Sequence, residues 1–178
     1  MTTLMTISLL AVILGVACWH DVRIQRIPNA LVAAGTAVGA LLALLAEGIG
    51  LASSASGFAV GLAALLPFYL LRVMGAGDVK LMATVGAFMG YPAVLGVVLA
   101  TLIAGGVLAV LWAAATVGIR TLLHNLRTGL CLGMVQVVSG GLPRAADVPV
   151  SSARMPYALA IAAGTAAYLA FDHWNKMT

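Results

Sequence analysis

Of the five acidic residues in this 178-residue chain, Asp21 and Asp78 stand in matched settings. Asp21 closes an apolar run that begins at Thr2, and Asp78 opens one that continues from Leu81. Two carboxyls brought close together cannot both ionise comfortably, so such a pair tends to share one proton. The ionised member can take a proton from water as that water attacks a carbonyl carbon, while the protonated member donates to the carbonyl oxygen. These roles belong to the pair rather than to either residue. A competing reading uses the same two groups as proton sites in a small proton-coupled transporter. Against it, both aspartates fall near one face rather than at the midplane, and no inverted repeat is visible. Glu47, Asp147 and Asp172 read as solvated charges at helix ends or in a loop.

Several neighbours bear on the pair. Gly75 and Gly77 precede Asp78 and leave room for a tight turn and for a substrate backbone to approach. Asp78 also reads as a cap at a helix start, and Asp21 as a surface charge paired with Arg23 or Arg26. Lys80 reads chiefly as a snorkelling, topology-fixing cation, with participation beside Asp78 as the alternative. His20 reads as an interfacial histidine. No second His, Cys or carboxylate stands beside it at ligand spacing, so neither a metal nor a cofactor is expected. Cys18 and Cys131 fit no disulfide framework or CxxC site and read as small packing residues.

The elements that position these residues follow from composition. The chain is 63% hydrophobic and 8% charged, with mean hydropathy +1.12. Soluble domains carry about a quarter charged residues, so lipid is the expected solvent. A helix needs about 20 residues to cross a hydrocarbon core about 30 Å thick. Charge-free stretches run over Thr2–Trp19, Ile27–Ala46, Gly48–Leu71, Leu81–Ile119 and Met155–Phe171. The fourth is too long for one span, and Gly90-Tyr91-Pro92 breaks it. An all-α integral membrane fold with six transmembrane helices is therefore predicted, as one domain over residues 1–178. Before the last span, Arg120–Arg154 holds a cytoplasmic-side loop or an interfacial helix over Thr121–Val138. The piece from Asp78 to Gly90 is too short to span, which would draw Asp78 below the membrane surface.

With the loop after span one in the cytoplasm, Arg23, Arg26, Arg72, Lys80, Arg120, Arg127, Arg144 and Arg154 all fall inside, and Lys176 alone falls outside. That asymmetry predicts both termini in the periplasm and both aspartates at the cytoplasmic face. The N-terminal run carries no preceding Lys or Arg, and Gly15 stands where a lipobox has Leu, so an uncleaved first span is expected. The net charge of +4 comes from scattered cations rather than a basic stripe, so no nucleic-acid partner is expected.

At this point the residues resemble a known family. Gly75-Ala76-Gly77-Asp78 is similar to the GxGD signature of type IV prepilin peptidases. Asp21, six variable residues and Pro28-Asn29 resemble that family's first motif, and Met155-Pro156-Tyr157 its C-terminal Pro-aromatic element. The resemblance covers nearly the whole chain. It implies a membrane aspartic endopeptidase of the bacterial inner membrane that removes the short basic leader of prepilins or pseudopilins, usually after a glycine, at the cytoplasmic face. Asp21 and Asp78 would be catalytic. Gly75, Gly77 and Lys80 would shape the second motif, and Pro28 and Asn29 the first. Longer members carry a domain with two CxxC pairs and also methylate the product. With no CxxC here, methyl transfer and zinc are not expected. The compact form resembles the peptidases of tight-adherence (Flp) pilus systems; archaeal-type preflagellin peptidases share the motifs.

Overall fold

The computed structural model describes residues 2–45, 48–71, 73–118, 121, 128 and 155–177. Two compact units are distinguishable, Met1–Gly106 with Pro156–Thr178, and Val107–Met155. All regular structure among the described residues is helical: α1 (Thr2–Ile24), α2 (Asn29–Ala43), α3 (Leu51–Leu70), α4 (Ala76–Met89), α5 (Ala93–Val117) and α6 (Ala158–Met177). Among the described residues three stretches are long and apolar enough to cross a membrane: Leu4–Ile24, Leu51–Leu70 and Ala93–Thr116. Helix α2 is apolar but shorter. The segment 120–154, with Arg120, His124, Arg127, Cys131, Arg144, Asp147 and Arg154, lies outside the described residues apart from Thr121 and Thr128. So do Glu47 and Arg72.

Helix α4 is the centre of the first unit. Val79 and every residue from Leu81 to Phe88 are buried. A helix apolar on all sides belongs inside a bundle rather than on its surface. It packs against α1, α2, α3 and α6, most extensively against α3. At 14 residues it is about 21 Å long, shorter than the hydrocarbon thickness. Gly90 ends it with φ 69°, a left-handed conformation that glycine adopts without penalty, and α5 begins three residues later. The expected break therefore stands at Gly90-Tyr91-Pro92.

The close approach of α3 to α4 has a sequence cause. On α3 the buried positions are Ser54, Gly57, Gly61 and Leu65, a helical stripe of mostly small residues. Gly57 and Gly86 meet backbone to backbone, and a Cβ on either would overlap the carbonyl oxygen of the other. Small residues at such crossings let helices pack in lipid, where burying apolar surface gives no advantage. Hydrogen bonds join the packing: Ser54 Oγ donates to the Ala87 carbonyl at 2.7 Å, and the Thr36 and Thr84 hydroxyls pair across α2 and α4 at 2.9 Å. Gly86→Val is expected to lower the melting temperature in detergent markedly, with an overpacking cost of about 3 kcal/mol. Gly15→Ala faces open space and should leave stability within about 1 kcal/mol of wild type.

Helix boundaries depart from the sequence reading where polar residues stay helical. Helix α1 continues past Trp19 to Ile24, so Asp21 lies within its last turn. Leu10, Leu14, Ala17 and Asp21 are its buried residues, spaced four, three and four apart. Asp21 therefore extends the core-facing stripe. Helix α6 runs beyond Phe171 to Met177, and its last turn carries the Lys176–Asp172 ion pair.

Candidate active site

Asp21 and Asp78 reach the same neighbourhood from α1 and α4. Their carboxyls lie within electrostatic reach of each other. Asp21 is 7% exposed. Its Oδ2 accepts the backbone N–H of Ala158, the first residue of α6, at 3.0 Å. The surface ion pair expected for Asp21 is absent among the described residues, because burial turns the side chain inward. Arg23 instead lies over the Trp19 ring, 4.1 Å from its centroid.

Asp78 occupies the third position of α4. Gly75 is the N-cap residue, and the Asp78 carboxylate reaches back to accept its backbone N–H. An acid at this position commonly closes the first turn of a helix in this way. So Asp78 satisfies the cap one turn in, rather than being the cap residue itself. Its other oxygen, Oδ1, is buried and has no hydrogen-bond partner among the described residues. A buried polar atom without a partner carries a desolvation cost, and in native proteins it commonly marks a functional position.

The flanking glycines contribute space rather than a special turn. Gly75 has φ −76° and ψ 150°, extended backbone open to any residue, and Gly77 lies within α4. The chain does turn here, with the Asp78 N–H donating to the Gly75 carbonyl at 3.2 Å, but the turn needs no glycine-only conformation. A Cβ on Gly75 would stand 3.2 Å from Asp78 Oδ2, and one on Gly77 would stand 3.2 Å from Ile27 Cβ. The first glycine leaves the carboxyl open on one side, and the second lets the start of α4 pack against the segment that joins α1 to α2.

The remaining motif residues sit in that segment. Pro28 is the N-cap residue of α2, and its carbonyl accepts the N–H of Leu31 at 3.1 Å. Proline at a helix start leaves no donor stranded. Lys80 Nζ donates to Asn29 Oδ1 at 3.0 Å. This bond ties the residue after Pro28 to the second turn of α4. Lys80 is thus a cross-link between the two motifs, a role that sequence reasoning missed because its partner is 51 residues away.

Sequence reasoning also missed the Ala158 amide. Met155, Pro156 and Tyr157 offer α6 no side-chain cap of their own, but no signal in the sequence names the residue that supplies one. Among the described residues no group of three or more His, Cys, Asp or Glu is placed to hold a metal ion. The arrangement comprises two neighbouring carboxyls, one held by an amide and the other with an open buried oxygen. Such a pair can share a proton and polarise a water molecule against a carbonyl.

Comparison with known proteins bears on these residues directly. No curated protein and no solved structure matches the chain significantly. The family model described as the type IV leader peptidase family matches residues 8–110, which include Asp21, Pro28, Asn29 and the whole of Gly75–Lys80. The matched region is more than half of the sequence and ends before α6. The chain belongs to the type IV leader peptidase family.

Proposed function

We propose that this peptidase is an aspartic endopeptidase of the bacterial inner membrane. On this reading it removes the leader of type IV or Flp-type prepilins at the cytoplasmic face, after a glycine, with Asp21 and Asp78 as its catalytic residues. The observation that carries the reading is the pairing of a buried Asp21 with an Asp78 whose buried Oδ1 has no partner among the described residues, inside a family-matched region. In the step, the ionised carboxyl removes a proton from water as its oxygen bonds to the scissile carbonyl carbon. The protonated carboxyl donates to the carbonyl oxygen. Collapse of the tetrahedral intermediate breaks the C–N bond: the carboxyl that took the water proton gives it to the leaving amide nitrogen, and the other carboxylate takes a hydroxyl proton from the intermediate. This returns the pair to its starting state and leaves an amine on the mature pilin and a carboxyl group on the leader. No cofactor enters the scheme.

A substrate helix offers no free carbonyl until it unwinds, since its backbone groups are bonded internally. A glycine at the leader junction makes that opening easier, and the missing Cβ of Gly75 leaves room for the opened strand beside Asp78. The functional test is cleavage of a prepilin with an intact leader glycine by the purified protein in detergent. Release of the leader at that glycine is the expected result. No cleavage, together with proton uptake by the same protein in liposomes, would support the transporter reading instead.

The same reading places residues 1–178 as one membrane peptidase domain with six spans and periplasmic termini. It rests on the distribution of Lys and Arg, eight inside against one outside. A reporter fused after Lys176 should give a periplasmic signal and one inserted at Ala146 a cytoplasmic signal. The same compartment for both would mean that the span count is wrong by an odd number.

A further inference from the structure

Helix α6 begins without a cap of its own. Pro156 and Tyr157 supply the first acceptors: the Pro156 carbonyl takes the N–H of Leu159 at 3.4 Å, and the Tyr157 carbonyl takes those of Ala160 at 2.9 Å and Ile161 at 3.1 Å. The N–H of Ala158 therefore has no partner within the helix. Ala158 is fully buried and Pro156 is buried beside it, so water is not its partner. An orphan amide in such a place is costly, and nearly all buried amides find an acceptor. The acceptor here comes from a different helix, as Asp21 Oδ2 at 3.0 Å, across a sequence separation of 137 residues. A carboxylate is a suitable group at this end of a helix, because the N-terminal amides carry partial positive charge. The next residue back, Tyr157, lies within electrostatic reach of Asp78. The turn 156–158 thus borders both carboxyls, although it lies outside the family-matched region.

We propose that Asp21 has a second role besides chemistry: it is the N-terminal cap of α6, and through that bond it seats the turn 156–158 as a third wall of the aspartate site, against which the substrate backbone lies. The cap follows from geometry alone. The substrate wall rests on the functional reading above. The two roles of Asp21 separate by substitution, because asparagine keeps a side-chain oxygen that can accept the Ala158 amide but cannot act as an acid or a base, whereas alanine keeps neither property.

The experiment uses the full chain in lipid nanodiscs and compares Asp21→Asn, Asp21→Ala and Asp78→Asn. Amide hydrogen exchange is read over residues 158–161, and affinity is read with a prepilin made uncleavable at its leader junction. Asp21→Ala should raise exchange there at least about tenfold and weaken prepilin binding at least about tenfold, roughly 1.4 kcal/mol. Asp21→Asn and Asp78→Asn should stay within about threefold of wild type in both readouts. Unchanged exchange in Asp21→Ala would overturn the cap. Raised exchange with unchanged prepilin affinity would overturn the wall and leave the cap. Should Asp21→Asn still cleave, the catalytic reading of Asp21 fails, while the exchange result stands independently.

Discussion

Asp21→Asn and Asp78→Asn should each lower prepilin cleavage by about 10³- to 10⁴-fold, with protein abundance in the membrane close to wild type. The size of the effect follows from the chemistry. General acid and base contributions are worth about 10²- to 10⁴-fold, and neither half of a proton-sharing pair works without the other. Near-normal abundance follows from the structure. Asparagine at 21 keeps the shape of the side chain and an acceptor for the Ala158 amide. Asparagine at 78 keeps an acceptor for the Gly75 amide that closes the first turn of α4. The measurement is leader release against time at matched enzyme concentration. Either variant within tenfold of wild type would remove that residue from the mechanism.

Gly77→Val should lower cleavage at least about tenfold, a barrier increase of about 1.4 kcal/mol. A Cβ at this position would stand 3.2 Å from Ile27 Cβ, and the two methyl groups of valine add bulk at the same point. Ile27 precedes Pro28, which fixes the entry into α2, so relief must come from moving either that segment or the start of α4. Asp78 is the residue after Gly77, and small displacements of a reacting group reduce rates steeply. Lys80→Met should do less, about two- to fivefold. It removes one exposed hydrogen bond to Asn29, of the order of 1 kcal/mol or below. Both variants are compared at matched membrane abundance on a prepilin with its leader glycine intact. An active Gly77→Val beside an inactive Lys80→Met would reverse these roles, making the lysine chemical and the glycine incidental.

Much of this architecture was legible in the sequence because the signals were local. Uncharged stretches mark the helices, and Gly90 with Pro92 marks the end of α4, since each residue acts on its own backbone. The depth of Asp21 could be read as well, from its place on the stripe Leu10, Leu14, Ala17, but a charged residue at the end of an apolar run looks like a helix terminus until that spacing is counted. Pairings across the chain were not legible. Nothing near Ala158 in sequence announces that its amide meets Asp21, and nothing near Lys80 announces Asn29, because both contacts depend on which helices are neighbours. The glycines before Asp78 were legible as small residues but not in their role. Their backbone angles are ordinary, and the reason for glycine is the space that Asp78 and Ile27 occupy.

The double variant Asp21→Asn/Asp78→Asn tests most directly whether the two carboxyls work as one unit. Residues that share a step are grossly non-additive, since removing the first already disables what the second contributes. Leader release is followed by mass spectrometry over long incubations, sensitive enough to quantify the residual rate of each single variant and a rate a hundredfold lower. The expected result is a double variant that cleaves at the residual rate of the singles, within about threefold. A double variant whose rate falls at least a hundredfold below either single would contradict a shared proton and show that Asp21 and Asp78 act independently.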